Sequence, residues 1–299
     1  MVQELVADFD CPTMKVLLTF ASSAMCRSAN RLARQAKTLG FYDKIYSYSE
    51  QDITPDFRLK YKEALVEGTR GYGYWCWKPQ IIHQVLEGMN YGDILQYTDA
   101  GCHLNSRGLL RLKEYFELAK KSNSGILAFQ LRDPSPPLPT PSAGALNLPD
   151  YQWIKGDLLD YFGVRDRDDI THTQTIGAGI IFIRKCEKSM ALIGKWRDAF
   201  EADFSLIDDS PSKSKNLAGF KDHRHDQAIF SLLCKLEPVK TISAYEYWYP
   251  LQTGDGPDWK ILKSYPVHAK RDKDFGILGN ARNLLLRIAL KVKRVIGKR

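Results

Sequence analysis

The stretch ILQYTDAGCHLN, residues 94–105, is an apolar run of strand-like composition that ends on Asp99 and continues into Gly101. In an α/β sheet, an acidic residue at the carboxyl end of a central strand points into the crevice where ligands bind. A carboxylate there suits a hard divalent cation that bridges phosphate oxygens. The alternative is that Asp99 only caps the turn or helix that follows, a role that aspartate performs well. The stretch alone does not choose between these interpretations.

Strand and helix patterns alternate on both sides of this stretch. Strands are predicted from Lys15 onward and over 43–49, 93–98 and 125–130. Helices are predicted over 27–40, 78–89 and 109–121. Gly40 is expected to end the first helix. This order favours an α/β fold with a mostly parallel sheet, whose ligands bind beyond the carboxyl ends of the strands. We expect the sheet core to be complete by Gln130.

The second half of the chain opens with a proline-rich stretch. Residues 131–150 contain six prolines, and the stretch is too long for an ordinary connection between elements. We therefore expect a functional lid or disorder there. Another buried strand is predicted over 176–186, with helices over 188–201 and 225–236.

The composition is that of a folded protein. With 299 residues and 44% hydrophobic content, the chain can bury a large core as one α/β domain or two smaller ones. Its six cysteines include no CxxC pair and no zinc spacing, and no secretory signal is seen, so we expect reduced thiols in a cytosolic protein. No run of about 18 apolar residues occurs, which argues against a membrane-spanning helix.

The net charge of +8 is concentrated at one end of the chain. Residues 275–299 hold seven of the 43 basic residues and none of the 35 acidic ones, so the rest has a formal charge of +1. A nucleic-acid enzyme is expected to spread positive charge over its working face. The observed distribution argues against a nucleic-acid partner.

Four segments resemble one enzyme family. They are WKPQIIHQVLEGMNYGDILQYTDAGC (77–102), IGAGIIFIRKCEKSMALIGKW (176–196), HDQAIF (225–230) and YPVHAK (265–270). Their order and spacing resemble those of the GT-A nucleotide-sugar glycosyltransferases. The pattern is most similar to the retaining glycogenin-like and bacterial lipopolysaccharide galactosyltransferases, and to capsule or O-antigen transferases with a GYWxWKP motif. The resemblance covers roughly residues 14–272.

The resemblance implies a GT-A catalytic domain over 1–274 and glycosyltransferase activity. Such an enzyme moves a sugar from a nucleotide-diphosphate donor, here preferably a UDP-sugar, to a glycan or lipid-linked glycan acceptor in surface polysaccharide biosynthesis. A retaining mechanism is favoured. The alternative, from a different class, is a catalytically silent GT-A-like protein that binds sugar nucleotides or polysaccharide without transfer.

The resemblance also implies a divalent metal, Mn²⁺ or Mg²⁺, held by Asp99 and His268 and acting as a Lewis acid on the leaving diphosphate. For His268 the alternative is a surface or packing histidine. The family has Asp-X-Asp where this chain has Asp99-Ala100-Gly101, so the second carboxylate is missing and its role must fall to water, Asp99 alone or His103. The family's Asn-Ser-Gly is replaced by glycine, alanine and glycine at 177–179, which removes a side chain expected to touch the donor sugar.

The donor-binding residues that the resemblance implies are Thr19, Lys78, Asp99, Ala100, Gly101, Gly177, Ala178, Gly179, Lys270 and Arg271. Lys78 would meet the diphosphate as a point charge, and Lys270 or Arg271 could close over it. The alternative for these lysines is a solvated face.

Asp226 is the carboxylate that the resemblance places at the reaction centre. It would face the sugar in a retaining enzyme or act as the base in an inverting one, and its alternative role is a helix N-cap. Gln227 would hold the sugar hydroxyls. His223 and His225 could bind the acceptor, although clustered polar residues before a helix are more often just a loop.

Aromatic residues crowd two places, 71–79 and 245–250, and sugars stack on aromatic rings. We expect Trp248, in preference to Trp75, to form a platform on which the acceptor sugar stacks. The alternative is that most of these rings belong to the core.

The segment 280–299 reads as a basic amphipathic helix. Its apolar face comprises Ala281, Leu284, Leu285, Ile288, Val292 and Val295, and its basic stripe comprises Arg287, Lys291, Arg294 and Lys298. We expect the tail 275–299 to lie on an anionic membrane surface and hold the enzyme at the inner face of the cell membrane. The alternative is that the helix packs on the catalytic domain or on a partner subunit.

Overall fold

The centre of the fold is a six-stranded sheet with the order β2-β1-β3-β6-β5-β7, beside a separate two-stranded pair of β4 and β8. The strands are β1 Lys15–Phe20, β2 Lys44–Tyr48, β3 Ile94–Thr98, β4 His103–Leu104, β5 Ile126–Gln130, β6 Ile176–Arg184, β7 Lys240–Ser243 and β8 Val267–His268. The computed structural model describes residues 13–132, 148–249, 257 and 259–271. The centre of the predicted lid, 133–147, and the basic tail 275–299 lie outside the described residues.

Helices cover both faces of the sheet. The α-helices are Cys26–Leu39, Pro55–Lys60, Trp77–Glu87, Leu109–Lys121, Gly156–Tyr161, Asp168–Thr171, Glu187–Ala202 and His225–Leu236. Short 3₁₀ turns lie at Ser23–Met25, Glu50–Asp52, Ser106–Gly108, Asp150–Gln152, Phe204–Leu206, Ala244–Glu246 and Ile261–Ser264. Over the ranges that the structure describes, no helix is long and apolar enough to cross a membrane.

The predicted α/β class with a mostly parallel sheet is confirmed, because β6 is the only antiparallel strand of the six-stranded sheet. The expectation that the sheet core ends by Gln130 is wrong. β6 is inserted between β3 and β5, and β7 adds a further strand beside β5. A buried apolar run reveals that a strand exists but not where it enters the sheet, so the sequence could not place β6 at the centre.

Local sequence explains the elements that carry the site. All five residues of β3 are buried, as expected for a strand with helices on both faces. The helix Cys26–Leu39 ends where Gly40 adopts a left-handed conformation with φ 58°. The helix Trp77–Glu87 packs against Glu187–Ala202, and residues of both helices belong to one core cluster.

Strand direction brings distant segments to one edge of the sheet. β1 and β3 are parallel and end at the same edge, while β6 is antiparallel to β3 and begins there. Residues 99–102 after β3 and 177–179 at the start of β6 therefore become neighbours. Their contact is direct, because the Asp99 amide donates to the Gly179 carbonyl oxygen at 2.8 Å.

Candidate active site

A cavity of about 960 Å³ opens at this edge of the sheet. Its wall is formed by residues that follow β1 and β3, the start of β6, the segment 67–72 with Trp75, and the start of the helix His225–Leu236. The volume is within the range of small-molecule and cofactor sites. The position agrees with the rule that ligands of open α/β sheets bind beyond the strand ends.

A buried lysine lies at the floor of the cavity between two carboxylates. The Lys78 Nζ atom is 2.7 Å from Asp226 Oδ2 and 3.5 Å from Asp99 Oδ1, and its side chain is 3% exposed. Burial alone would lower the pKa of Lys78, but the charges of Asp226 and Asp99 outweigh burial and raise it. Lys78 is therefore a fixed cation and not part of a solvated face.

The Asp99 carboxylate is oriented by its neighbours on the sheet. The Tyr97 hydroxyl donates to Asp99 Oδ1 at 2.7 Å. A Cβ atom at Gly179 would lie 2.8 Å from Asp99 Oδ2, so the carboxylate occupies the space that a side chain at 179 would need. Its hydrogen bond from Tyr97, together with its 41% exposure and its place in the cavity wall, distinguishes Asp99 from a simple turn cap.

Asp226 is the buried carboxylate of the pair. Burial raises the pKa of Asp226 from its ordinary value of 3.8 to about 6, and the Lys78 ammonium keeps it from rising further. Asp226 lies in the first turn of its helix, whose N-cap residue is Arg224, so Asp226 is not the N-cap. The group can therefore change its charge close to neutral pH.

The glycine at 177 makes room for a second side chain. A Cβ atom there would lie 2.8 Å from the Tyr247 hydroxyl, and Tyr247 itself lines the cavity. Gly177 and Gly179 thus lie against Tyr247 and Asp99. The wall at 177–179 is lined by side chains from other segments of the chain.

Residues 71–75, three of which line the cavity, have a left-handed backbone. Gly71, Tyr72, Gly73, Tyr74 and Trp75 have φ values of 62°, 54°, 88°, 55° and 60°, and we call them the left-handed segment. The Tyr74 amide donates to the carbonyl oxygen of Arg70 at 2.7 Å, and the Trp77 indole donates to that of Gly71 at 3.0 Å. Each left-handed residue other than glycine costs about 1–2 kcal/mol, so tertiary contacts must hold this turn.

Backbone strain is concentrated around the cavity. The described residues other than glycine with positive φ are Tyr72, Tyr74, Trp75, His225 and Arg271. Four of the five line the cavity, and the fifth, Tyr74, packs its ring 5.3 Å from that of His225. Strained conformations of this kind persist where the surrounding structure enforces them, which is typical of functional sites.

Most of the site residues proposed from the sequence line this cavity. They are Lys78, Asp99, Ala100, Gly101, Gly177, Ala178, Gly179, His225, Asp226, Gln227, Trp248 and Arg271. His225 is buried, with Nδ1 2.7 Å from the Ile207 carbonyl oxygen. Leu131 and Leu148, at the two ends of the predicted lid, also lie in the wall.

Besides His103, four proposed residues lie outside the cavity wall. Thr19 is fully buried within β1, and the residues that follow β1 line the cavity instead. His223 is buried, with Nε2 3.0 Å from the Leu206 carbonyl oxygen. Lys270 is exposed and lies over the Trp259 ring at 5.5 Å. His268, the fourth, is described with the metal ligands below.

The two predicted metal ligands both have other partners. His268 is 8% exposed, and its Nε2 atom lies 2.8 Å from the Leu262 carbonyl oxygen, which makes that nitrogen a donor. Asp99 has the Lys78 ammonium beside it instead of a second ligand. In the part of the chain that the structure describes, no three His, Cys, Asp or Glu side chains gather in a way that could hold a metal. The described residues do not fit a side-chain metal centre at Asp99.

Tyr247 and Arg224 line the cavity and Tyr97, which is fully buried, donates to Asp99, but none of the three was proposed from the sequence. Tyr97 could have been found, because residues two apart on a strand share a face and Tyr97 precedes Asp99 by two. Tyr247 lies inside the aromatic cluster 245–250 that the sequence singled out. For Arg224, the only signal in the sequence is its charge two positions before Asp226.

The comparisons with known proteins concern the fold. No protein-family model matches the chain, and no curated protein matches it. The chain is similar to the solved structure of a glycosyltransferase involved in the glycosylation of the major capsid of PBCV-1, with 11% identity, coverage of 86% of this chain and 94% of that one, and a TM-score of 0.45.

Two further solved structures are similar to this chain. Mouse xyloside xylosyltransferase 1 shares 11% identity over 79% of this chain and 86% of its own, with a TM-score of 0.39. Galactosyltransferase LgtC, solved with donor and acceptor sugar analogs, shares 13% identity over 78% and 74%, with a TM-score of 0.36. At TM-scores below 0.5 these likenesses carry no argument about function, which rests on the geometry of the site.

Proposed function

We propose that the protein is a glycosyltransferase that moves a sugar from a nucleoside-diphosphate donor to a glycan or lipid-linked glycan acceptor. One observation carries the proposal. The buried Lys78 ammonium joins Asp226 and Asp99 at the floor of a cavity at the carboxyl end of β3. This arrangement offers the reacting sugar carbon a carboxylate that a buried cation holds in place.

In the proposed reaction, the bond between the sugar's anomeric carbon and the diphosphate oxygen breaks, and the diphosphate leaves with the electron pair. The ionised Asp226 carboxylate stabilises the positive charge that develops on the sugar. Lys78 restrains that carboxylate at 2.7 Å. The acceptor hydroxyl then adds to the anomeric carbon, and its proton goes to the departing diphosphate oxygen. We favour retention of configuration, with Asp226 facing the sugar.

The second candidate is a protein that binds sugar nucleotides without transferring the sugar. The single carboxylate of the Asp99-Ala100-Gly101 stretch favours it. Both candidates predict donor binding, and only the first predicts turnover.

The test is a transfer assay with a panel of nucleotide sugars, comparing the wild type with Asp226→Asn. We expect Asp226→Asn to lower turnover by about a hundredfold or more while donor affinity changes by less than about threefold. Asp169→Asn is the control, since its carboxylate is exposed and only pairs with Arg167 at 2.7 Å. Turnover close to wild type in Asp226→Asn would overturn the assignment, and the anomer formed, read by NMR, tests retention.

We further propose that the tail 280–299, outside the described residues, binds anionic membrane surfaces and so brings the enzyme to a lipid-linked acceptor. Co-sedimentation with vesicles containing anionic lipid tests this. We expect binding at low salt and release at high salt, because the surface attraction of basic residues is screened. Equal sedimentation with neutral vesicles would contradict the proposal.

A further inference from the structure

Two arginines face the cavity without a carboxylate partner. Arg224 and Arg271 both line the wall, and within the described ranges neither forms an ion pair. Arg70, in the same wall, shows the contrast, because its guanidinium lies 3.1 Å from both Asp209 and Asp222. Among the described residues, the cavity therefore holds two guanidiniums without an ion-pair partner, and only the more distant charge of Asp222 acts on Arg224.

Arg224 is held rigidly in place. Its guanidinium carbon lies 4.2 Å from the centre of the Trp153 ring, and its amide donates to the Trp153 carbonyl oxygen at 3.0 Å. Burial lowers the pKa of Arg224, and the nearby charge of Arg271 lowers it further. Stacking on an aromatic ring leaves the edge of the guanidinium free to donate hydrogen bonds.

Arg271 reaches the cavity from a different segment. It follows β8, has a left-handed backbone with φ 53°, and is exposed. Its charge is close enough to Arg224 for the two guanidiniums to repel each other. Two like charges held together in a cavity indicate that the ligand carries the opposite charge.

A metal ion that could offset the charge of a diphosphate would find here one carboxylate and one histidine, and both have other partners. Asp99 is a single carboxylate with Lys78 3.5 Å away, and His268 lies outside the wall. The negative charge of a leaving diphosphate must therefore be met largely by cations of the chain itself.

We propose that Arg224 and Arg271 bind the donor's diphosphate and stabilise it as the leaving group, in the place that a metal ion takes in the Asp-X-Asp pattern. This inference rests on the proposed function. A planar guanidinium binds phosphate oxygens in pairs, and both arginines are already placed. When the sugar–oxygen bond breaks, the electron pair goes to the terminal phosphate oxygen, and the guanidiniums offset the added negative charge.

The test measures binding of UDP and GDP, with uridine and guanosine as matched ligands that lack phosphate, by calorimetry in EDTA. For the diphosphate that binds the wild type more tightly, we expect Arg224→Ala and Arg271→Ala each to weaken binding by about tenfold to a hundredfold. Nucleoside affinity should change by less than about twofold. Arg224→Lys keeps the charge but loses the planar fork, and we expect an intermediate loss.

Lys221→Ala is the matched control. Lys221 lies over the same Trp153 ring at 5.7 Å but outside the cavity wall, so its removal tests whether Trp153 packing alone accounts for the effect. We expect diphosphate affinity within about twofold of wild type. A loss equal to that of Arg224→Ala would overturn the arginine site.

Two outcomes separate this inference from the function itself. If the wild type transfers sugar and both alanine variants bind diphosphate as tightly as it does, the arginine site is wrong and the proposed function stands. If the wild type binds neither nucleoside diphosphate, with or without Mn²⁺, and transfers no sugar, the proposed function fails and the inference fails with it. Thermal melting of each variant without ligand checks that it is folded.

Discussion

Among the described residues, two lysine–aspartate pairs have both side chains buried, and the pairs have nearly equal length and different character. Lys235 Nζ lies 2.5 Å from Asp150 Oδ2, and Lys78 Nζ lies 2.7 Å from Asp226 Oδ2. Asp150 also accepts hydrogen bonds from the hydroxyls of Thr175 at 2.8 Å and of Ser231 at 2.7 Å. The Asp150 pair thus ties three segments together and is fully enclosed.

The Lys78 pair is built in the opposite way. Within the part of the chain that is described, no hydroxyl donates to the Asp226 carboxylate, and the lysine is shared with Asp99. Two carboxylates around one ammonium leave a net negative charge at the cavity floor when both are ionised. Burial and pairing alone therefore do not identify a reactive pair. Two features distinguish the Lys78–Asp226 pair. Among the described residues Asp226 accepts no hydrogen bond from a hydroxyl, and the pair faces the cavity.

The largest expected effect separates the two pairs. Asp150→Asn leaves the buried Lys235 ammonium without its counter-charge, so we expect a loss of about 3 kcal/mol in the free energy of unfolding. Turnover of the folded fraction should remain within about threefold of wild type. Asp226→Asn should do the reverse, with stability within about 1 kcal/mol and the turnover loss given above. Urea unfolding and transfer assays measure both, and matching behaviour of the two variants would break the comparison.

The next effect concerns the position of Asp99 and not its charge. In Gly179→Ala the added methyl group would lie 2.8 Å from Asp99 Oδ2 and displace it from Lys78 and Tyr97. We expect turnover to fall by about thirtyfold, because small displacements of catalytic groups are costly. Gly194→Ala is the control, since a Cβ atom there meets nothing within 4 Å. If both variants have the same turnover, the Asp99 position does not matter.

The raised pKa of Asp226 predicts opposite effects of pH on activity and stability. Turnover needs the carboxylate, so it should fall about tenfold per unit as pH drops below about 6. The folded protein binds this proton more tightly than the unfolded chain, whose pKa is near 3.8. Asp226 therefore adds stability that is present below about pH 4 and lost as pH rises to about 6. Asp226→Asn should remove this part of the stability profile, and an unchanged profile would contradict the assigned pKa.

The smallest effect tests the wall beside Lys78. In Gly71→Ala the new Cβ atom would lie 2.3 Å from the Trp75 ring, whereas Gly163, with nearly the same φ of 63°, has nothing within 4 Å. Gly163→Ala should cost about 1 kcal/mol for the left-handed backbone alone, and Gly71→Ala about 1–2 kcal/mol more. Urea unfolding measures the difference. Equal losses would show that the Trp75 ring moves aside freely.

Local patterns predicted most of the elements well. The helix Leu109–Lys121 has the predicted bounds, and β3 and the helix His225–Leu236 agree within a residue, because each has a clear period or a buried run between turn signals. Gly40 ends its helix as expected. These features depend on residues close together in the chain.

The site depended on contacts that no local pattern records. The resemblance pointed to Lys78 and Asp226 separately, but their helices come together only because both pack on the helix Glu187–Ala202. His268 matches a motif, but its Nε2 atom donates a hydrogen bond to the Leu262 carbonyl oxygen. The left-handed segment was read only as an aromatic cluster, because tyrosine and tryptophan rarely adopt that conformation and nothing in their order predicts it.

The left-handed segment also has a consequence for the order of events during synthesis. Its anchor, Arg70, pairs with Asp209 and Asp222, and Tyr74 packs against Phe204 and His225. All four partners are translated long after residues 71–75, and an L-peptide has no local preference for such a turn. The wall beside Lys78 therefore cannot settle until the ribosome has made residues up to His225. A nascent chain that stops short of this point has its first strands but no place to hold a donor.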